Sequence, residues 1–97
     1  MVVVAVLLTL RLLDTRSLKQ KRGVVRSLVE RLRSRHHLSA AEVGLQDDVR
    51  QAQVGFAAVS GDASTARQQA DDALRFIDAE LLGRAEIISE EIEELVL

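Results

Sequence analysis

The feature that most constrains this chain is its first strand-like run. Val2 to Leu13 is built almost wholly from Val and Leu, and no charge occurs before Arg11. The uncharged part is too short for the roughly 20 residues that a helix needs to cross a bilayer. No basic residue precedes it and no small-residue cleavage site follows, so it does not read as a signal peptide. β-Branched and Leu residues in one short run predict a buried central strand. One parity, Val2, Val4, Val6, Leu8, Leu10 and Leu12, is entirely apolar and should face covering helices. The other, Val3, Ala5, Leu7, Thr9, Arg11 and Leu13, is partly apolar, so the opposite face of the sheet should also be covered by something.

The rest of the chain supplies those helices and three more strands. Ser17 is placed to cap a helix, with Gln20 three residues on to complete a capping box. Leu18, Val25, Leu28, Val29 and Leu32 then recur at helical spacing as far as about Arg35. Gly23 falls inside this helix, where it implies tight packing or nothing at all. Leu38–Leu45 and Val49–Ser60 read as strands joined by Gln46-Asp47-Asp48. Ala52, Val54, Phe56 and Ala58 share the inward parity of the second of these. Asp62 is the expected N-cap of a second helix, whose inner stripe is Ala63, Ala66, Ala70, Ala73, Leu74, Ile77 and Leu81. Gly83 suits the stop after it. Residues 84–97 allow helix or strand by spacing, and their position after Gly83 favours a strand whose glutamates protect a sheet edge.

The order β-α-β-β-α-β, with right-handed crossovers, predicts an α+β ferredoxin-like sandwich: a four-stranded antiparallel sheet with two helices on one face. Ninety-seven residues make one such domain, 1–97. In this topology residues 14–22, 46–49 and 83–84 should meet at one end. Cysteine is absent and Phe56 and Phe76 are the only aromatic residues, so the core must be aliphatic and thiolate metal sites are excluded.

Charge is unevenly distributed. Residues 1–35 hold nine Lys/Arg and two acidic residues, whereas residues 36–97 hold four and thirteen. The first helix also breaks a local rule. Helix N-termini favour acids, yet this one opens with Arg16, Lys19, Lys21 and Arg22. On a helical wheel Lys19, Arg22, Arg26 and Arg33 share one narrow arc away from the apolar stripe. Such an arc beside free helix N–H groups suits an anion, and a row of phosphates suits the whole arc. The competing reading is a solvated face, neutralised by Asp14, Asp47, Asp48 or Glu30.

The stretches Arg16-Ser17-Leu18-Lys19-Gln20-Lys21-Arg22, Ala41-Glu42-Val43-Gly44, Gln46-Asp47 and Val59-Ser60-Gly61-Asp62, in this order, resemble the YlxP-like family of small uncharacterised bacterial proteins. The resemblance covers nearly the whole chain and is most specific in Ser-Leu-Lys-x-Lys-Arg. It implies the ferredoxin-like fold and a cytoplasmic protein, often encoded near translation and ribosome-maturation genes. It implies no activity. Relatives often carry an aromatic residue just after the Gln-Asp pair, where this chain has Asp48 and Val49.

Three functional readings follow. The first is a non-enzymatic RNA- or ribosome-associated protein, binding through Arg16, Ser17, Lys19, Lys21, Arg22, Arg26 and Arg33, with Gln46 and Asp47 at the same end. With Tyr and Trp absent, contacts would fall mainly on phosphates. The second is a homodimer or protein scaffold that covers the free sheet face through Val3, Ala5, Leu7, Ala41, Val43, Ala57 and Val59. The third is an enzyme on a phosphorylated small molecule with Asp47 as acid or base. It is the weakest, because no catalytic constellation accompanies the charges. His36 and His37 are adjacent and cannot share a ligand face, and the paired glutamates of the tail read as solvated. No catalytic residue, metal site, cofactor or membrane association is expected.

Overall fold

The computed structural model describes all residues, Met1–Leu97. Its elements are β1 (Val2–Leu12), α1 (Leu18–His36), β2 (Ser39–Gly44), β3 (Gln51–Ser60), α2 (Ala63–Leu81) and β4 (Ala85–Val96). The sheet order is β2-β3-β1-β4, with every neighbouring pair antiparallel. This is the ferredoxin-like α+β sandwich that the element order predicts. Residues 84–97 form a strand for nearly their whole length. No helix is long and apolar enough to cross a membrane.

The parities decide which face is covered. Val2, Val4, Val6, Leu8, Leu10 and Leu12 are all buried, as are Ala52, Val54, Phe56 and Ala58 beside them on β3. Val25, Leu28, Val29 and Leu32 of α1 and Ala66, Ala70, Ala73, Ile77 and Leu81 of α2 close over this face to form one core. α1 lies over β2 and β3, and α2 lies over β3 and β1. Alanine at the inner positions of α2 lets its backbone approach the sheet. β4 packs along β1 with little helix above it, so Ile92 and Val96, beside Val6 and Val2, remain 52% and 72% exposed, while Leu95 lies on the opposite face beside Val3. A register shift against Thr9 and Leu10 leaves Ile88 as an extra residue, and Ile87 then returns to the side facing Leu10.

The helix ends follow the sequence with one variation. Gln20 donates its backbone N–H to Ser17 Oγ at 3.1 Å, and Asp62 accepts from Thr65 N–H at 2.9 Å. The Gln20 side chain reaches back one residue further than a capping box requires, accepting from the Arg16 N–H at 2.7 Å. α1 ends on His37 in the left-handed region (φ 54°), and α2 is followed by Gly83 at φ 77°. His36 packs against Phe76, with ring centroids 4.8 Å apart, and ties the two helices together.

β2 and β3 are each shorter than expected at the connection between them. The Asp48 carboxylate accepts from the N–H groups of both Arg50 and Gln51, at 2.8 and 2.9 Å, so the chain turns there before pairing resumes at Gln51.

Candidate nucleic-acid interface

The end of the molecule that collects residues 14–22, 46–49 and 83–84 is assembled as the topology requires. Leu13 donates its N–H to the Arg84 carbonyl at 2.9 Å. The Thr15 hydroxyl donates to the Val49 carbonyl at 2.8 Å. A cleft of about 620 Å³ opens there, with Asp14, Lys19, Gln20 and Gly23 on one side and Gly83 and Arg84 on the other. Gly23 has no neighbour within 4 Å of the place a Cβ would occupy. The glycine therefore marks open space rather than tight packing.

Lys19, Arg22, Arg26 and Arg33 are all exposed along the outer side of α1. From Lys19 to Arg33 the helix rises roughly 21 Å at 1.5 Å per residue. Ion pairs join Arg11 to Glu86, Lys21 to Glu42, Arg31 to Glu80, Arg67 to Glu94 and Arg75 to Asp72. None involves the four residues of the arc, nor Arg16. The candidate internal partners Asp14, Glu30, Asp47 and Asp48 make no ion pair with them. Asp48 is instead committed to its turn, where the two backbone N–H groups of Arg50 and Gln51 hold its carboxyl below the usual aspartate range. Arg33 donates from Nε to the Ala40 carbonyl at 2.9 Å, which leaves its terminal nitrogens available. Glu30 is exposed and lies within the same arc, lowering its net charge by one.

One expected site residue is corrected. Lys21 is fully buried, not displayed for an anion. Its Nζ donates to the carbonyls of Leu45, Gln46 and Gln51 at 2.7, 3.1 and 3.3 Å, and lies 3.6 Å from Glu42 Oε2. All three ammonium protons have acceptors, so the charge is spent holding the β2–β3 connection against α1. The helical period carries a signal for this. Lys21 follows Leu18 by three residues and precedes Val25 by four, which places it in line with the apolar stripe rather than the basic arc.

The other expected residues divide between support and surface. Ser17 is occupied as the cap of α1. Gln46 offers its carbonyl to Lys21, and Asp47 is exposed at the rim of the same connection. Arg22 and Arg26, with Val25 and Val29, line a shallow groove of about 230 Å³ whose far wall is Glu42. The seven apolar residues of the free sheet face are gathered on the surface opposite the helices. Val3, Ala5, Leu7, Ala41 and Ala57 are half-buried there, while Val43 and Val59 are 51% and 57% exposed.

This geometry is suited to an anion. The arc presents cationic hydrogen-bond donors on one helix, beside a cleft that adds Arg84. It offers no flat aromatic surface for bases, because Phe56 is buried and Phe76 is packed against His36. Contacts would therefore fall on phosphates and carry little sequence preference.

The fold agrees with solved structures at low identity. The chain aligns over 97% of its length with a structure provisionally assigned as a chlorite dismutase, TA0507, at a TM-score of 0.58 and 12% identity. It spans only 44% of that chain. A de novo designed protein, Foldit4, aligns over 100% of this chain and 99% of its own at a TM-score of 0.54 and 13% identity. At sequence level, the uncharacterized protein YlxP of Bacillus subtilis (strain 168) is 33% identical over 66 residues, or 68% of this chain and 72% of that protein. The model of a family described as protein of unknown function, DUF503, matches residues 3–92. The chain belongs to the DUF503 family.

Proposed function

We propose that this protein is a non-enzymatic RNA-binding protein of the cytoplasm, which grips phosphates along α1 and has ribosomal RNA as its candidate partner. One observation carries the reading: Lys19, Arg22, Arg26 and Arg33 form an exposed row, none of whose members is in an ion pair with an acidic side chain. Four acids of α2 and β4, namely Asp72, Glu80, Glu86 and Glu94, are engaged elsewhere, with Arg75, Arg31, Arg11 and Arg67. Like charges along one helix repel one another, and Lys19 and Arg22 also oppose the dipole at its start. An anionic partner relieves both effects. The axial separations along the row, roughly 4.5, 6 and 10.5 Å, suit several phosphates of one backbone better than a single small anion. The cleft between Lys19 and Arg84 would seat the terminal phosphate of such a contact.

Co-sedimentation with bacterial ribosomal subunits tests this reading. Wild type should pellet with a subunit at low salt and be released as salt rises. A Lys19→Glu, Arg22→Glu, Arg26→Glu variant with unchanged circular dichroism should stay in the supernatant. Binding by the variant equal to wild type would refute the assignment of the arc.

A further inference from the structure

The free face of the sheet has a shape and a charge pattern of its own, independent of α1. Cross-strand register sorts its residues into rows running perpendicular to the strands. One row reads Ser39, Ala57, Ala5 and Glu93, from β2 through β3 and β1 to β4. Its first three members are small, so they make a floor. The next row reads Ala41, Gly55, Leu7 and Glu91. There Val43 takes the space above Gly55, with its Cγ1 3.4 Å from where a Cβ on that glycine would lie. On the other side Val59, Val3 and Leu95 stand in register. The result is a trough across the sheet. A groove of about 590 Å³ and a shallow, nearly flat depression of about 370 Å³ meet at Ala5 along it.

The dimensions suit a helix. Same-face rows lie two residues apart, so the two walls are roughly 14 Å apart at about 3.4 Å per residue. A helix with its side chains is about 10–12 Å across. Four strands about 4.8 Å apart give a trough roughly 14 Å long, or about nine residues of helix at 1.5 Å each.

Charge selects the occupant. At the β4 end stand Glu91 and Glu93, both exposed and neither in an ion pair. The one cation among the paired strands of this face, Arg11, is held by Glu86. A second copy laid face to face would bring no free cation to these carboxylates. With its strands reversed it would set the glutamates against each other, and turned about the strand axis it would bury them over Ser39 and Ala41 of β2. We propose that the trough receives a short amphipathic helix of another protein, apolar on one face and carrying Lys or Arg where it passes Glu91 and Glu93.

The probe is a 14-residue synthetic helix of Leu, Ala and Lys with its lysines at one flank, paired with a peptide in which Glu replaces Lys. ¹⁵N-labelled full-length protein reports the contact by amide shifts. The Lys peptide should shift residues of the three rows, and the Glu peptide should not. Ala57→Arg, which fills the floor, and Glu91→Lys with Glu93→Lys should each weaken binding at least tenfold, with the fold checked by circular dichroism. The doubly reversed variant should gain binding of the Glu peptide. Shifts scattered over all acidic surfaces, or affinity unchanged by both variants, would overturn the proposal. So would sedimentation showing a dimer of free wild type that Ala57→Arg dissociates, which would assign the trough to a second copy.

Discussion

Replacing Lys21 with Met separates its buried role from the role of the exposed cations around it. Methionine keeps most of the aliphatic stem but removes an ammonium that donates to three carbonyls and lies 3.6 Å from Glu42. A hydrogen bond from a charged group contributes roughly 1.5–3 kcal/mol, and removing one partner of a buried ion pair costs roughly 3–5 kcal/mol. Two of the three carbonyls belong to the exposed residues Leu45 and Gln46, where water can replace part of the loss. Glu42 Oε2, buried with no hydrogen-bond partner, then loses the ammonium that lies 3.6 Å from it. A destabilisation of about 3 kcal/mol follows, at the lower end of that range. For a domain of this size it lowers Tm by roughly 12–24 °C. Lys19→Met, on the exposed arc, should change stability by no more than about 0.5 kcal/mol. Thermal and urea unfolding of the two variants beside wild type measures the difference. Hydrogen exchange in Lys21→Met should also quicken first at residues 45–51. Equal melting of the two variants would refute the view that Lys21 is a structural tie.

Three further outcomes follow from local geometry. Gly23→Ala should raise stability by about 0.5–1 kcal/mol, because the position is an exposed helix interior with free space beside it; urea midpoints measure this. Gly83→Ala should lower stability by about 1–2 kcal/mol, because φ is 77° there; the same assay applies. Four carboxyls are held below their ordinary values: Asp48 by backbone N–H groups, Asp62 by the Thr65 N–H and hydroxyl, Asp72 by Gln68 and Arg75, and Glu94 by Arg67. Their stabilising contribution is complete above the unfolded carboxylate range and is lost as pH falls through the lower folded values. Urea midpoints should therefore drop below about pH 4, and Asp62→Asn should make that drop shallower.

Much of this fold was legible because two periodicities rarely conflict in the chain. The alternation of Val2 to Leu12 marked both the central strand and its covered face. The alanine stripe from Ala63 to Ala73 and the caps at Ser17 and Asp62 marked the helices. The tail was ambiguous because Ile88, Ile92 and Leu95 also fit a helix. Its pairing with β1, a contact between the two ends of the chain, decides the matter and leaves no local trace. Sequence spacing grouped Lys19, Arg22, Arg26 and Arg33 on one arc, and they do share one exposed side of α1. Lys21 was misjudged for a physical reason. Residue type argued for the surface while helical phase argued for the core, and the three carbonyls that resolve the conflict come from a connection 24–30 residues away. The unpaired state of the arc was beyond reach for a similar reason. It depends on where Glu80, Glu86 and Glu94 find their partners in three dimensions.

The most direct test of the phosphate-binding account is the salt dependence of RNA binding, followed by fluorescence anisotropy with a labelled ribosomal RNA fragment. Each neutralised phosphate contributes about 0.7–0.9 to the slope of log K against log salt. Four cations predict a slope of roughly −3 to −4. Arg26→Gln should reduce it by close to one contact, with little change in the ranking of different RNA sequences. A shallow slope, or one that Arg26→Gln leaves unaltered, would contradict the claim that α1 holds the RNA backbone.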